Sequence, residues 1–437
     1  MRFLLLLAII MPANIFAAAF AFSGDWRAEV AMYHKLDLNG AMHGTGTTDY
    51  TDPASPDYNP NYDQDSTKTY WLQRFKIRPD LIVYDNVRIK NEWILLAGSA
   101  LPSTNMGGAI DNFVAGGLTG ADNVHAQISI RRVWLDWASD WGVFTMGRQP
   151  QNFGLGMTYN SGDGVWDYYG DSVDRIAYKL VMGTVYFKIG YDILAEGAVN
   201  YAQDDQSAFI TELGYSEPES NMDMAFLWHF YFAPGRQRVH TYDVFQKKVF
   251  PVSALSIAWE AAYQKGTMGA STVQSFGMLV DFAWKPSPIE FGLKTGFATG
   301  DNDGADGKYY AFHYNRNYKI AFLLFTEDLG VGGDSVHGSQ GIGADFNDLG
   351  AVFFAPYMGW NLTDSLKLSS VVAYALTQKR PTTGRAKNLG TELDLDLTYT
   401  WKEDLDTGIR AGWFFPSSYF VGRAVGMGLM ATVSLKF

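Results

Sequence analysis

Charged residues in this chain recur at every second position. Arg74, Lys76 and Arg78 do so in one stretch, with Asp80 after them, and Arg88, Lys90 and Glu92 do so in the next. That period places the side chains on one face of a β-strand. Arg175, Lys179 and Lys188 keep the same phase within their own segments. A ladder of cations on one face is the chemistry of anion pores, where fixed positive charge stands in for the water an anion sheds. Glu392, Asp394 and Asp396 form the opposite ladder near the C-terminus. Facing walls of opposite sign would set a transverse field that orients polar solutes. Alternatively, these charges pair with one another and simply solvate a wide bore. Arg131 and Arg132 are adjacent, so a regular strand sends only one of them to that face.

Other candidate chemistry is thinner. Asp301, Asp303 and Asp306 surround a turn glycine in the run Gly-Asp-Asn-Asp-Gly-Ala-Asp-Gly at 300–307. Closely spaced carboxylates are the hard oxygen ligands that calcium takes, although no Glu closes a twelve-residue EF-hand loop here. The same spacing suits an ordinary Asn/Asp/Gly turn. A structural calcium is therefore the one candidate cofactor. His34, His43, His125, His229, His240, His313 and His337 sit in no nucleophile-and-base pattern, so the sequence does not read as an enzyme. The absence of cysteine removes thiolate zinc sites, iron-sulfur clusters and attached c-type haem. A net charge of -12 argues against a nucleic-acid partner.

The elements that must position these residues are strands with one greasy side. Trp71, Phe75, Ile77, Leu81 and Val83 take the odd positions against Arg74, Lys76 and Arg78; Leu393, Leu395, Leu397, Tyr399 and Trp401 do so against the acidic ladder. A soluble sandwich alternates in the same way. The connections discriminate between the two. Short turn signals at 84–86, 139–141, 183–184, 285–288, 363–365 and 402–406 alternate with long polar stretches at 38–67, 99–124, 150–173, 300–317, 375–390 and 416–424. Short periplasmic turns and long extracellular loops are the habit of an outer-membrane β-barrel. Aromatic residues make up 15% of the chain and flank many strands, as expected of rings that settle at the two membrane interfaces. Met427, Leu429, Ala431, Val433, Leu435 and Phe437 form one face of the last strand.

Counting strands of the length that crosses a bilayer at a tilt gives about 18, with about 16 still open because the stretch 208–250 is ambiguous. At the N-terminus, Arg2 precedes an apolar run from Phe3 to Met11, and Ala17, Ala18, Ala19 and Ala21 follow. This is the layout of a secretory signal peptide, cut after Ala19 or Ala21. The expected organisation is a signal at 1–21 and one all-β transmembrane barrel domain over 22–437.

Three stretches carry a family resemblance. Arg131–Pro150 reads "RRVWLDW" followed by "FTMGRQP", Leu389–Tyr399 reads "LGTELDLDLTY", and Ala411–Phe420 reads "AGWFFPSSYF". In that order they resemble the alginate-export family of Gram-negative outer-membrane porins. The resemblance implies a monomeric barrel of about eighteen strands with a polar lumen, and its Gly-Arg-Gln motif adds Arg148 to the lumen. That family includes general diffusion channels, so export of alginate does not follow. The expected function is passage of small polar solutes, anionic and sugar-acid-like, across the outer membrane. The expected partners are outer-membrane lipid, those solutes, and the barrel assembly machinery reading the strand that ends in Phe437. The competing expectation is a sleeve that houses a periplasmic component of polymer secretion or electron transfer.

Overall fold

The computed structural model describes residues 19–36, 38, 67–95, 99–100, 129–195, 205–327, 329, 342, 346, 348–381, 385–420 and 424–437. Most of the signal segment, residues 39–66 and 101–124 of the two long loops, and His43, His125 and His337 lie outside them.

Twenty strands form one sheet. They are β1 (Ala19–His34), β2 (Thr67–Tyr84), β3 (Val87–Ile94), β4 (Ser99–Ala100), β5 (Ser129–Ser139), β6 (Gly142–Pro150), β7 (Ser172–Met182), β8 (Val185–Ala195), β9 (Gln206–Glu217) and β10 (Met222–Ala233). The second half holds β11 (Gln237–Phe250), β12 (Leu255–Met268), β13 (Ser271–Trp284), β14 (Ile289–Ala298), β15 (Lys308–Tyr309), β16 (Ala351–Asn361), β17 (Leu366–Leu376), β18 (Asn388–Lys402), β19 (Leu405–Pro416) and β20 (Gly426–Lys436). β4 and β15 are two-residue pieces attached to β2 and β13. The other eighteen pair antiparallel with their neighbours, and β1 meets β20 from Asp25↔Lys436 to His34↔Met427, which closes the ring. Closure leaves no unpaired edge around the circumference. The ambiguous stretch 208–250 resolves as β9, β10 and β11, so the count is eighteen.

Alternation sets the two faces. Trp71, Ile176, Ile189, Leu213, Phe282, Leu397, Ile409 and Leu429 stand 39% to 56% exposed on the outside, where a lipid-spanning barrel carries its apolar band. Their inward neighbours Arg74, Arg175, Asp192, Glu260 and Glu392 are 0% to 3% exposed. Strands join at one end by turns of two to four residues, as at 85–86, 183–184 and 403–404, and at the other by the long loops. The asymmetry has two exceptions. The connections 234–236 and 269–270 lie at the loop end and are as short as the turns opposite them.

Two loops do not stay outside. Residues 151–171, between β6 and β7, and residues 311–327 of the connection between β14 and β16 fold into the bore. The larger apolar cluster of the molecule therefore lies inside the barrel: Phe312, Tyr314, Phe322, Leu323, Leu324 and Phe325 from the second loop pack on Tyr33, Phe353, Phe414, Tyr419 and Phe420. The wall makes room with small inward residues. A Cβ on Gly277 would stand 2.3 Å from the Phe312 ring, and one on Gly428 2.8 Å from both Phe322 and Leu323. These positions tolerate nothing larger than hydrogen while the loop is seated.

Candidate functional site

The first inner loop crosses the lumen between walls of opposite charge, and the walls hold its backbone. On one side, β1 and β2 place Arg27 opposite Arg74. Arg27 donates to the carbonyl oxygens of Val165 (2.5 Å) and Asp167 (3.1 Å), and Arg74 to those of Asp167 (2.7 Å) and Val165 (3.0 Å). Lys76 donates to Gly162 O at 3.2 Å, Arg131 to Ser161 O at 3.3 Å, and Arg132 to Ser161 O and Asp171 O. On the other side, Glu260 of β12 accepts the backbone N–H of Leu155 (2.5 Å), Met157 (3.4 Å) and Thr158 (3.2 Å), and Asp243 of β11 accepts the Thr158 hydroxyl. Charged donors and acceptors make the stronger class of hydrogen bond. Here they satisfy a segment that makes no strand ladder of its own.

The basic ladder is therefore not an open wall. Arg74 and Arg78 reach Asp25 at 3.1 and 3.5 Å. Glu92 gathers Lys76 (3.8 Å), Arg78 (3.0 Å), Arg131 (2.9 Å) and Arg132 (3.4 Å) around one carboxylate. Both adjacent arginines enter the lumen, contrary to the expectation for a regular strand. The reason is a bulge: Glu92 pairs with Arg132 and Trp93 with Ile130, which leaves Arg131 as the extra residue. Asp163 accepts from Arg132 at 2.7 Å. Burial would raise its carboxyl, but Arg132 and the Ser161 hydroxyl hold it below the usual value.

The remaining sequence candidates are placed as follows. Lys90 pairs with Asp136 at 3.0 Å. Arg88 shares the phase of Lys90 at the turn end and is exposed. Arg175 grips Asp192 through two nitrogens at 2.5 and 2.7 Å. Lys179 lies 3.7 Å from the Tyr186 ring centre, and Lys188 reaches Glu212 at 3.6 Å. Arg148 is a correction. It has the parity of Phe144 and of the exposed Met146, so it faces outward at the loop end and pairs with Asp174 at 3.2 Å.

The acidic ladder also seats a loop. Glu392 accepts the backbone N–H of Leu323 and Leu324, each at 2.6 Å, and Asp394 accepts that of Phe322 at 2.8 Å. Asp396 is held by Arg410 through two nitrogens at 2.7 Å. The calcium spacing is built as a turn. Asp301, Asp303 and Asp306 each turn back to accept a backbone N–H, from Asp303, Ala305 and Lys308. Among the described residues no group of three ligating side chains is placed to hold a metal ion.

The two loops meet at the lumen axis. Asn315 donates to Asp171 at 2.7 Å, Asn317 to Tyr169 O, and Arg316 lies 3.9 Å from the Tyr169 ring centre. Burial raises the Asp171 carboxyl to about 6. Below this junction, toward the turn end, lies a cavity of about 460 Å³ bounded by Leu155, Trp166, Asp167, Tyr168, Tyr318 and Lys319 of the loops and Lys294, Asp396, Asp406 and Arg410 of the wall. Its carboxylates are occupied: Asp167 accepts Gly164 N–H, Asp396 is clamped by Arg410, and Asp406 accepts the Thr400 hydroxyl. Its lysines meet no carboxylate within 4.0 Å among the described residues: Lys319 donates to Trp166 O at 3.4 Å and lies 3.8 Å from the Tyr168 ring centre, and Lys294 lies 5.7 Å from that of Tyr318. Burial, then Arg27, lowers the Lys319 amine to about 7.

Sequence reasoning missed Asp25, Arg27 and Glu29, although they alternate on β1 as the ladders do. It also missed Asp243 and Glu260, single carboxylates on inward faces where Thr241 and Gln264 are their neighbours and no charge ladder marks them. Nothing in the sequence marks Lys294 or Lys319.

No family model matches the sequence, and no curated protein matches it. Solved structures do. A BenF-like porin from Pseudomonas fluorescens Pf-5 superposes with a TM-score of 0.58 at 11% identity, over 96% of this chain and 98% of that one. OccK5 (OpdH) of Pseudomonas aeruginosa gives 0.57 at 10% over 96% and 98%. The outer membrane protein OpdK of the same species gives 0.56 at 10% over 95% and 99%. At such identities the likeness is one of fold, the closed eighteen-strand barrel of outer-membrane porins. The resemblance to the alginate-export family rests on the three sequence stretches alone. In the structure those stretches are anchors for the inner loops: Arg131 and Arg132 clasp the first, Glu392 and Asp394 the second, and Phe414, Tyr419 and Phe420 close over it.

Proposed function

We propose that this chain is a narrow diffusion channel of the outer membrane, passing small polar solutes with a preference for anionic, sugar-acid-like ones. The observation that carries this reading is the cavity under the two inner loops, with two lysine amines that no described carboxylate answers within 4.0 Å. An ammonium has three donors and no acceptor, so a carboxylate solute fits an unanswered need there. The preference arises at these two lysines, because the arginines of the ladder are engaged by Asp25, Glu92 and loop carbonyls. Passage requires no chemistry on the solute, and no nucleophile or general base is called for.

In this reading the outward face meets outer-membrane lipid, and the last strand, ending at Phe437, is the segment offered to the assembly machinery. A sleeve around a periplasmic partner would need an empty bore. Here the chain's own Phe312, Tyr314 and Phe322–Phe325 occupy it, which favours the channel. The test is purified protein in a planar bilayer under a salt gradient. Discrete conductance with a reversal potential toward the anion is expected. A silent bilayer would overturn the channel, and a cation-preferring potential the anionic preference.

A further inference from the structure

The outer surface carries a second charged feature, unrelated to the lumen. On the loop half of the barrel, a charge on a strand's lipid-facing side is out of place, and the Arg148–Asp174 pair there neutralises itself. Arg238 of β11 and Lys265 of β12 do not. Their parity with the exposed Tyr242, and opposite to the buried Val239 and Ala262, turns both outward. Both are exposed, and no described carboxylate lies within 4.0 Å of either. The register sets Arg238 beside Thr267 and Lys265 beside His240, so the two cations are diagonal neighbours on adjoining strands, within reach of one bound anion.

Beneath them is an aromatic floor. His240 stacks on Phe230 at 4.3 Å between centroids with 10° between planes, and on Trp228 at 6.0 Å. Tyr242 and Tyr263 are cross-strand partners one step deeper. The Trp228 indole nitrogen is 3.2 Å from His240 Nδ1. An indole N–H can only donate, so Nδ1 must accept, and the neutral ring carries its hydrogen on Nε2 as a further donor. Amphipathic rings lie at headgroup depth; Lys265 is level with His240 and Arg238 one step above it, at the end of the barrel where the connecting loops lie. A ligand here must be anionic at one end and apolar at the other.

We propose that the Arg238–Lys265 pair with His240 binds the phosphate of a phosphorylated glycolipid in the outer leaflet, its acyl chains lying along the aromatic floor. The proposal rests on the outer-membrane reading, which puts the loop end at the outer leaflet, and is independent of solute preference. The test is native mass spectrometry and a binding titration on the folded, detergent-solubilised full chain, using bisphosphorylated lipid A, its dephosphorylated form, phosphatidylglycerol and inorganic phosphate. Heat-modifiable gel migration and bilayer conductance are measured alongside, for wild type and for the Arg238→Gln, Lys265→Gln double variant. The expected result is saturable binding of bisphosphorylated lipid A that the double variant weakens about thirtyfold, with folding and conductance unchanged. Equal affinity in the double variant, or for the dephosphorylated lipid, would overturn the proposal. Equal binding of phosphatidylglycerol or of inorganic phosphate would reassign the site away from a glycolipid. Loss of conductance in wild type with lipid binding intact would overturn the channel reading alone.

Discussion

Replacing Lys294 and Lys319 together by glutamine should remove most of the anion preference. Each amine, when protonated, is a unit charge beside the path. A permeating ion passing on the order of 5 Å away in water feels about 0.8 kcal/mol, which screening at 0.1 M salt, with a Debye length of about 10 Å, reduces to about 0.5 kcal/mol. The sign reverses for a cation, so each lysine biases the anion-to-cation permeability ratio by about 1 kcal/mol, about fivefold. At 1 M salt the Debye length of about 3 Å leaves a bias below about twofold per lysine. The assay is the reversal potential across a planar bilayer at fixed salt ratio and rising mean concentration. Titration sharpens it. Burial lowers the Lys319 amine to about 7, so it is charged below that pH and neutral above. Anion preference in the wild type should fall as pH rises from 6 to 8, and Lys319→Gln should flatten that profile while keeping the part due to Lys294. A double variant as anion-selective as wild type at low salt would refute the reasoning and return the selectivity to the arginine ladder.

Removing both loop clasps on the basic side with Arg131→Ala and Arg132→Ala discards charged hydrogen bonds worth ~1.5–3 kcal/mol each; larger and noisier single-channel currents are expected, and unchanged conductance would mean the first loop is held elsewhere. Asp171 has a carboxyl raised by burial from 3.8 to about 6. Its contribution to the junction of the loops is complete below the unfolded value and is lost as pH rises through about 6, so open-state fluctuations should grow from pH 4 to pH 7 in wild type and not in Asp171→Asn. Gly147 has φ +122°, and a Cβ there would lie 2.5 Å from Val133 O; Gly147→Ala should cost ~1–3 kcal/mol, read as a lower temperature for the shift of the folded band on a gel.

Much of this fold is written in period 2. Where a strand has lipid on one side and charged lumen on the other, as Arg74–Lys76–Arg78 and Glu392–Asp394–Asp396 do, the pattern gives element, face and register together. It fades where the wall packs against the inner loops. Ala351, Phe353, Ala355, Ala373 and Ala375 face inward yet are apolar, so β16 and β17 read as greasy on both sides. Inward folding of the loops was not legible, because the cues for it are distant: three carboxylate oxygens on β18, 68 to 72 residues along the chain, waiting for the amides of residues 322–324. Arg148 fails for a different reason. A motif places a residue in a chain, and only strand parity places it on a face.

The clasping of the first inner loop has an evolutionary consequence. Arg27, Arg74, Lys76 and Glu260 bind peptide carbonyls and amides, groups that every residue but proline supplies in full. Among the loop's side chains the wall grips a few, Thr158 by Asp243, Asp163 by Arg132 and Tyr168 by Glu29, and those backbone bonds ask nothing of the others. Leu155 and Trp166, which shape the cavity, can be exchanged without losing the backbone bonds that seat the segment presenting them. A chain built this way can change what it admits by substitutions in one short stretch, while the eighteen strands and their charged clasps stay as they are.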